Sequence, residues 1–163
     1  MPPDEGVPIG NFLSQYSGNL FLSPLDHYCK EQLHCKYYYR YMDDIVILDG
    51  NKDYLHYVRE MIMIWLTENK LTIKPNYQIF PVPIHGIDFV GYVIFPDHVL
   101  LRKKIATNLK RKVRLIRNGV ITDPVTIRSI LASYNGFLSH CNSHNLYVKY
   151  CKDLEDEFKC RNK

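Results

Sequence analysis

Two adjacent carboxylates, Asp43 and Asp44, are the residues of this chain best suited to chemistry. They stand between an aromatic run, 37–41, and an aliphatic run, 45–48. Like charges this close together are unfavourable unless a cation neutralises them. Carboxylate oxygens suit Mg²⁺, which shares its coordination shell with waters and substrate phosphates. The pair is compatible with a metal site for phosphoryl transfer, although these two residues alone favour the alternative of a solvent-exposed acidic turn.

The flanking sequence predicts a β-hairpin, because the two strand-forming runs are separated only by residues 42–44. Before the hairpin, the spacing of apolar residues predicts a helix over 14–33, bent or locally broken at Pro24. After the hairpin, Asp53 is expected to cap a helix that extends to about Asn69. The carboxylates are thus predicted to lie on a tight turn between two helices.

The next part of the chain predicts more β-structure. Strands are expected at 71–73, 78–80, 86–95 and 99–101. Residues 96–98 would form the turn between the last two of these strands. Together with the helices, these strands place the chain in the α+β class.

The charge of the chain divides near residue 101, where the apolar period also becomes helical. Residues 1–100 hold seven basic and twelve acidic side chains, a net charge of −5, whereas residues 101–148 hold nine basic and one acidic, a net charge of +8. One apolar stripe follows helical spacing: Ile105, Leu109, Val113 and Ile116. Asp123 and Pro124 begin a second helix. This basic helical segment predicts polyanion binding, with a solvated helix face as the alternative.

Composition excludes several classes of protein. The 163 residues are 46% hydrophobic and 23% charged, which is ordinary for a folded domain and not for a disordered chain. No apolar run is long enough to span a membrane, and the acidic start does not resemble a signal peptide. Five cysteines without a Cys-x-x-Cys pair argue against a secreted disulfide scaffold. We therefore expect a cytoplasmic protein.

Tyr41-Met42-Asp43-Asp44 on a strand–turn–strand resembles the catalytic hairpin of reverse transcriptases, and further segments agree in order and spacing. The stretch 9–15 resembles the loop and helix beneath the incoming nucleotide, in the form found in diversity-generating retroelements and group II intron-like bacterial relatives. Residues 86–92 resemble the primer-grip hairpin, and the basic helices resemble the thumb. The resemblance implies a partial polymerase palm over 1–100 followed by an α-helical thumb over 101–163.

The resemblance also implies roles for individual residues. Asp43 would be a ligand of Mg²⁺, or of Mn²⁺, shared with the nucleotide phosphates, and Asp44 would contribute more weakly. The expected nucleotide and template contacts are Ile9, Gly10, Asn11, Ser14, Gln15, Tyr41 and Met42. Gly91 and Tyr92 would hold the primer. The expected contacts to the nucleic-acid backbone are Lys103, Lys104, Lys110, Arg111, Lys112 and Arg114.

Reverse transcriptases carry another metal-binding aspartate, and basic residues of the fingers, upstream of the segment that residues 9–15 resemble. We therefore expect this chain to need an N-terminal fingers and palm segment, in cis or from a partner chain. Its other partners would be an RNA template, a DNA primer and a deoxynucleoside triphosphate. By itself the chain is expected not to polymerise.

Other functions fit the sequence less well. A non-catalytic nucleic-acid-binding remnant of a reverse transcriptase is the main alternative, and intact Asp43 and Asp44 favour the enzyme. A metal-dependent nuclease would need further clustered acids. The His and Cys residues within 27–35 and 140–144 lack the paired spacing of zinc sites. A serine hydrolase is unsupported, because the chain has no Gly-x-Ser-x-Gly turn.

Overall fold

A computed structural model describes residues 12–72, 77–154 and 156 of the chain. The chain divides into two compact units, Met1–Ile79 and Phe80–Lys163. The first unit has its own core and one antiparallel sheet, and the second unit has a separate core and another antiparallel sheet. The described residues thus combine helices with two small sheets, as the α+β expectation requires.

The first unit is built from two helices and a hairpin. Helix α1 spans Phe12–His27 and continues into a π-helical turn, Tyr28–Gln32. Strands β1, Tyr37–Tyr41, and β2, Asp44–Leu48, pair antiparallel, and helix α2 spans Lys52–Glu68. The predicted helix and hairpin are confirmed, and the π-helical turn begins four residues after Pro24, whose missing N–H removes one helical hydrogen bond.

The core of the first unit lies between the hairpin and its helices. Its buried members are Leu25, Cys29, Leu33, Cys35, Val58, Ile62 and Leu66. Three side chains of the hairpin pack against them, namely Tyr38, Ile45 and Ile47. Only one face of the hairpin therefore meets the core, and the other face is left for solvent or a partner.

The second unit places a three-stranded sheet beside helices. A one-turn helix α3, Val82–His85, precedes strands β3, Ile87–Phe89, β4, Tyr92–Ile94, and β5, Val99–Leu101. Strand β4 is central and pairs antiparallel with both of its neighbours. The elements that follow are α4, Lys103–Arg117, α5, Pro124–Leu138, α6, His144–Tyr147, and a π-helical turn, Val148–Lys152.

The predicted apolar stripe of α4 and the predicted start of α5 are confirmed. On α4, Leu109, Val113 and Ile116 are buried in the unit's core. Helix α5 begins at Pro124, and the Asp123 carboxylate accepts hydrogen bonds from the amide and hydroxyl of Thr126, at 2.8 and 2.5 Å. The buried stripe of α4 leaves its basic residues on the outer sides of the helix.

The strand predictions for 86–95 and 78–80 are wrong. The expected strand over 86–95 is two strands, because Val90 and Gly91 have φ angles of 48° and 90° and reverse the chain. Of the expected strand over 71–73, Leu71 and Thr72 are not in a strand, and residue 73 lies outside the described residues. Residues 78–80 form no strand, and Pro81 follows directly, with Pro83 two residues later. Proline cannot donate to a sheet, which disfavours strand pairing there.

The expected cap of α2 is also wrong by two residues. The helix is capped by Asn51, whose side-chain oxygen accepts hydrogen bonds from the amides of Asp53 and Tyr54 at 2.9 and 3.1 Å. Asp53 therefore lies in the first turn, where its charge favours the helix N-terminus. Within the described residues, no helix is both long and apolar enough to cross a membrane.

Candidate active site

The two carboxylates lie at the end of the β1–β2 hairpin. Tyr41 pairs with Asp44, so Met42 and Asp43 form a two-residue turn. Met42 has a φ angle of 55°, in the left-handed region that favours glycine. Asp43 and Asp44 are both exposed. The predicted hairpin is confirmed, with Asp44 as the first residue of the second strand instead of part of the turn.

The outer face of the hairpin carries aromatic rings beside one carboxylate. Tyr37, Tyr39 and Tyr41 alternate with half-buried residues along β1 and are each about half exposed. Directly paired residues of an antiparallel ladder project to the same face of the sheet, so Asp44 shares the outer face with Tyr41. A row of rings and an acidic group thus face away from the core.

The inner face carries a polar network that ties the hairpin to α1. Arg40 donates from Nε and Nη2 to the two carboxylate oxygens of Asp26, at 2.7 and 2.6 Å. The hydroxyl of Tyr38 donates to Asp26 at 2.7 Å. The Arg40 hydrogen bond lowers the pKa of Asp26, whereas burial raises the pKa of Tyr38. Asp26 is therefore held as a carboxylate across the ordinary pH range.

This network also reaches the turn that carries the acids. The Nη1 atom of Arg40 donates to the Met42 carbonyl oxygen at 3.0 Å and to Oδ1 of Asn19 at 3.0 Å. Sequence reasoning missed these contacts, although one signal was available. Arg40 and Tyr38 share the face of β1 that meets the core, and a charged group there needs a partner.

The donors at the turn suit a hard divalent cation. Asp43 and Asp44 offer exposed carboxylate oxygens, which is the ligand chemistry that Mg²⁺ and Mn²⁺ prefer. No group of three or more His, Cys, Asp or Glu side chains within the described residues is arranged to hold a metal ion. The residues present therefore fit part of a coordination shell, with the remaining positions left to water, phosphate or another segment.

The predicted primer-binding residues lie on the β3–β4 hairpin. Gly91 is buried, and a Cβ atom built there would lie 3.0 Å from Ile105 Cδ1 and 3.8 Å from Phe137 Cε1. The Gly91 carbonyl accepts a hydrogen bond from the Arg102 amide at 2.9 Å. The Tyr92 hydroxyl donates to the Phe137 carbonyl at 3.2 Å, and burial raises the pKa of Tyr92. This turn is therefore fastened to α4 and α5, and its role toward a primer stays a prediction.

The predicted phosphate contacts lie along α4. Five of the six are exposed, and Lys112 is half-buried. The ammonium group of Lys110 stands 5.8 Å from the ring centroid of Tyr150. Near the end of the helix, Arg117 donates to the Lys149 carbonyl at 3.4 Å. The helix thus presents a surface of positive charge, with Lys110 steadied by an aromatic ring.

The remaining predicted residues precede the hairpin. Ser14 is half-buried and Gln15 is exposed in the first turn of α1. Ile9, Gly10 and Asn11 lie outside the described residues. The structure therefore brings together residues 41–44 at one turn and groups residues 91–92 with α4 in the second unit.

Comparison with models of known protein families and with curated proteins yielded no match.

Proposed function

We propose that this chain is the C-terminal palm and thumb portion of an RNA-directed DNA polymerase that transfers nucleotides onto the 3′ end of a primer. A further metal-binding carboxylate would come from an upstream segment or a partner chain. One observation carries the proposal. Asp43 lies in a two-residue hairpin turn whose first residue, Met42, holds a left-handed backbone, and Asp44 follows as the first residue of β2.

The strained turn supports a functional site. A non-glycine residue in the left-handed region costs about 1–3 kcal/mol and is found preferentially at active sites and ligand clamps. Glycine or asparagine would adopt this conformation at lower cost. Here Met42 takes the position, and Asp43 follows it directly. The strained residue therefore lies beside the candidate metal ligand Asp43.

The outer face of the hairpin supports a nucleic-acid substrate. Tyrosine rings stack on bases without regard to sequence, at about 1–3 kcal/mol per base. Tyr37, Tyr39 and Tyr41 expose about half of their surface on the face that also carries Asp44. Rings beside metal-binding acids suit a site where a base or sugar is held next to a reacting phosphate.

The basic helix supports the thumb assignment. Helix α4 buries one apolar stripe and exposes lysine and arginine on its other sides. Such side chains neutralise phosphates independently of sequence and release bound counterions. A strand of nucleic acid lying along α4 would be held by its backbone, which leaves its bases to pair with a template.

Asp43 and Asp44 would hold the divalent cation, together with phosphate oxygens and the missing carboxylate. A divalent cation held there would supply charge neutralisation for the triphosphate and activation of the attacking 3′ oxygen. Tyr41 would pack beside the primer end, and Met42 would fix the position of Asp43 through the turn. The isolated chain is then expected to bind nucleic acid but not to extend a primer, because one metal-binding carboxylate is supplied from elsewhere.

Mn²⁺ tests the metal site, since it broadens NMR signals of nearby amides. We expect the strongest broadening at residues 43–45 in the purified chain, and Asp43→Asn should abolish it. Asp49→Asn is the matched control, because Asp49 is also an exposed aspartate beside β2 and should leave the broadening unchanged. Equal broadening at both aspartates would contradict a specific site at the turn.

Primer–template binding tests the thumb. Replacing Lys110, Arg111 and Lys112 with Ala should weaken binding and reduce the slope of log affinity against log salt by about 2 to 3. A control triple of Lys30, Lys52 and Lys70 removes the same charge from exposed positions of the first unit and should change both quantities less. Unchanged affinity in the α4 variant would exclude the thumb assignment. If the chain binds the primer–template but does not bind Mn²⁺ at the hairpin turn, the result would support the non-catalytic remnant.

A further inference from the structure

Arg40 is a nearly buried charged side chain of the first unit. Only 9% of its side chain is exposed, although arginine is seldom buried unless it is paired. Its Nε and Nη2 atoms bind both oxygens of Asp26 in two parallel hydrogen bonds. This forked arrangement fixes the orientation of the guanidinium plane as well as its position.

The remaining nitrogen of that plane bonds to the acidic turn. Nη1 donates to the Met42 carbonyl and also to the side chain of Asn19 on α1. One rigid planar group therefore joins Asn19 and Asp26, two turns apart on the helix, to the backbone immediately before Asp43.

Stability alone does not account for a charge at this position. Arg40 pairs with Ile45 across the hairpin, on the face that packs against an apolar core. Replacing a buried ion pair by well-packed apolar residues is often neutral or stabilising, so an aliphatic residue could join the strand to the helix. A guanidinium, unlike an aliphatic group, also provides from one rigid plane a bidentate pair of hydrogen bonds to a carboxylate and a further bond to a backbone carbonyl.

We propose that Arg40, oriented by Asp26, is a positioning residue that fixes the Met42–Asp43 turn and thereby the direction of the carboxylates. The effect on metal binding rests on the proposed function, whereas the effect on the turn does not. Tyr38 has a smaller part, because its hydroxyl binds Asp26 but makes none of the bonds to the turn. The turn is thus predicted to depend on Arg40 and Asp26 and to tolerate Tyr38→Phe.

The first experiment measures backbone order at Met42 and Asp43 by ¹⁵N relaxation of the full chain. Arg40→Lys keeps the charge but cannot form the fork, and Asp26→Asn removes the charged partner. Both should lower the order parameters of the turn while those of α2 stay unchanged. Arg102→Lys is the matched control, because Arg102 binds Asp88 on the other hairpin. Unchanged order at the turn in both folded variants would overturn the proposal.

The second experiment measures Mn²⁺ affinity of the same variants by broadening at residues 43–45. We expect the dissociation constant to rise about tenfold in Arg40→Lys, as for other residues that orient metal ligands, and to stay unchanged in Tyr38→Phe. Absence of Mn²⁺ binding by the unmodified chain would contradict the metal site. The positioning role would then be tested by the order parameters of Met42 and Asp43 alone. An unchanged constant in folded Arg40→Lys would overturn the metal part of the inference.

Rotation of the guanidinium tests the same idea without a variant, should the variants fail to fold. Four hydrogen bonds to Asp26, Asn19 and Met42 should slow rotation about the Cζ–Nη bonds, so that Arg40 gives separate Nη proton signals. Arg102, with over a third of its side chain exposed, should give averaged signals. Averaged signals from Arg40 in the unmodified chain would overturn the proposal.

Discussion

The two hairpins of this chain solve the same geometric problem in different ways. Each turns through two residues, and each places a non-glycine residue in the left-handed region first, Met42 at 55° and Val90 at 48°. In the first hairpin a buried guanidinium donates to the Met42 carbonyl. In the second, the Arg102 amide donates to the Gly91 carbonyl, and apolar side chains close over Gly91.

The difference determines what each turn can present. In the first hairpin, Arg40 binds the backbone of the turn, and Asp43 and Asp44 remain exposed while the Met42 side chain is half-buried. A turn covered by Ile105 and Phe137 has no space for a side chain at its second position. A hydrogen bond to the backbone thus suits a turn that must present ligands, and apolar packing suits a turn that must stay at a fixed place beside a helix.

The largest effect is expected from Gly91→Ala, which disrupts the apolar packing of the Val90–Gly91 turn. The new Cβ atom would lie 3.0 Å from Ile105 Cδ1 at a φ angle of 90°, which a side chain rarely adopts. We expect the free energy of unfolding of the second unit to fall by about 2 kcal/mol, measured by urea denaturation. Strain and close contact both contribute to this loss.

Gly136→Ala is the matched control for that substitution. Gly136 lies inside α5, and nothing lies within 4 Å of a Cβ atom built there. Alanine is the better helix former, so this variant should gain about 0.5–1 kcal/mol. If the two alanine variants had similar stabilities, the result would contradict the role of apolar packing in holding the Val90–Gly91 turn.

A smaller effect of opposite sign is expected from Val90→Asn. The change creates an Asn-Gly pair, which tight hairpin turns with two positive φ angles favour. Valine is β-branched and strained at a φ of 48°, so asparagine should stabilise the second unit by about 1 kcal/mol. Val90 is already 40% exposed, so little apolar burial is lost.

Met42→Asn sharpens the comparison between the turns. Relief of strain should again stabilise the hairpin, but by less, because the half-buried Met42 side chain loses packing. The bond from Arg40 goes to a backbone carbonyl and is retained. Thermal unfolding of both variants compares the gains, and a larger gain at Met42 than at Val90 would contradict this account.

Sequence patterns predicted those features that depend on neighbouring residues. Asp123 followed by Pro124 is a strong local signal, and the helix begins there. The two strand-forming runs around residues 42–44 likewise required a hairpin. The apolar stripe of α4 followed from its period. In each case the side chains that determine the structure lie close together in the sequence.

The missed features depend on distant residues or on strain. Arg40 and Asp26 are 14 positions apart, so no local pattern connects them. The turn at Val90 was not predicted, because valine favours a strand, whereas the folded chain holds Val90 and Gly91 at positive φ with Gly91 close to Ile105. The cap of α2 was misplaced since Asn51 and Asp53 are both good caps, and contacts in the folded chain select Asn51.

The smallest effect is expected from low pH, which weakens only the Asp26–Arg40 pair that holds the Met42–Asp43 turn. The bond from Arg40 lowers the pKa of Asp26 in the folded chain below its ordinary value of 3.8. A lowered folded pKa contributes stability that is present above the ordinary value and is lost as pH falls through the folded pKa. The stability difference between the unmodified chain and Asp26→Asn should therefore shrink below pH 3.8. Over the same range, amide signals of Met42 and Asp43 should lose order before those of Val90 and Gly91, whose fastening involves no carboxylate. Simultaneous loss at both turns would mean that acid unfolds the whole chain and that Asp26 has no separate influence on the acidic turn.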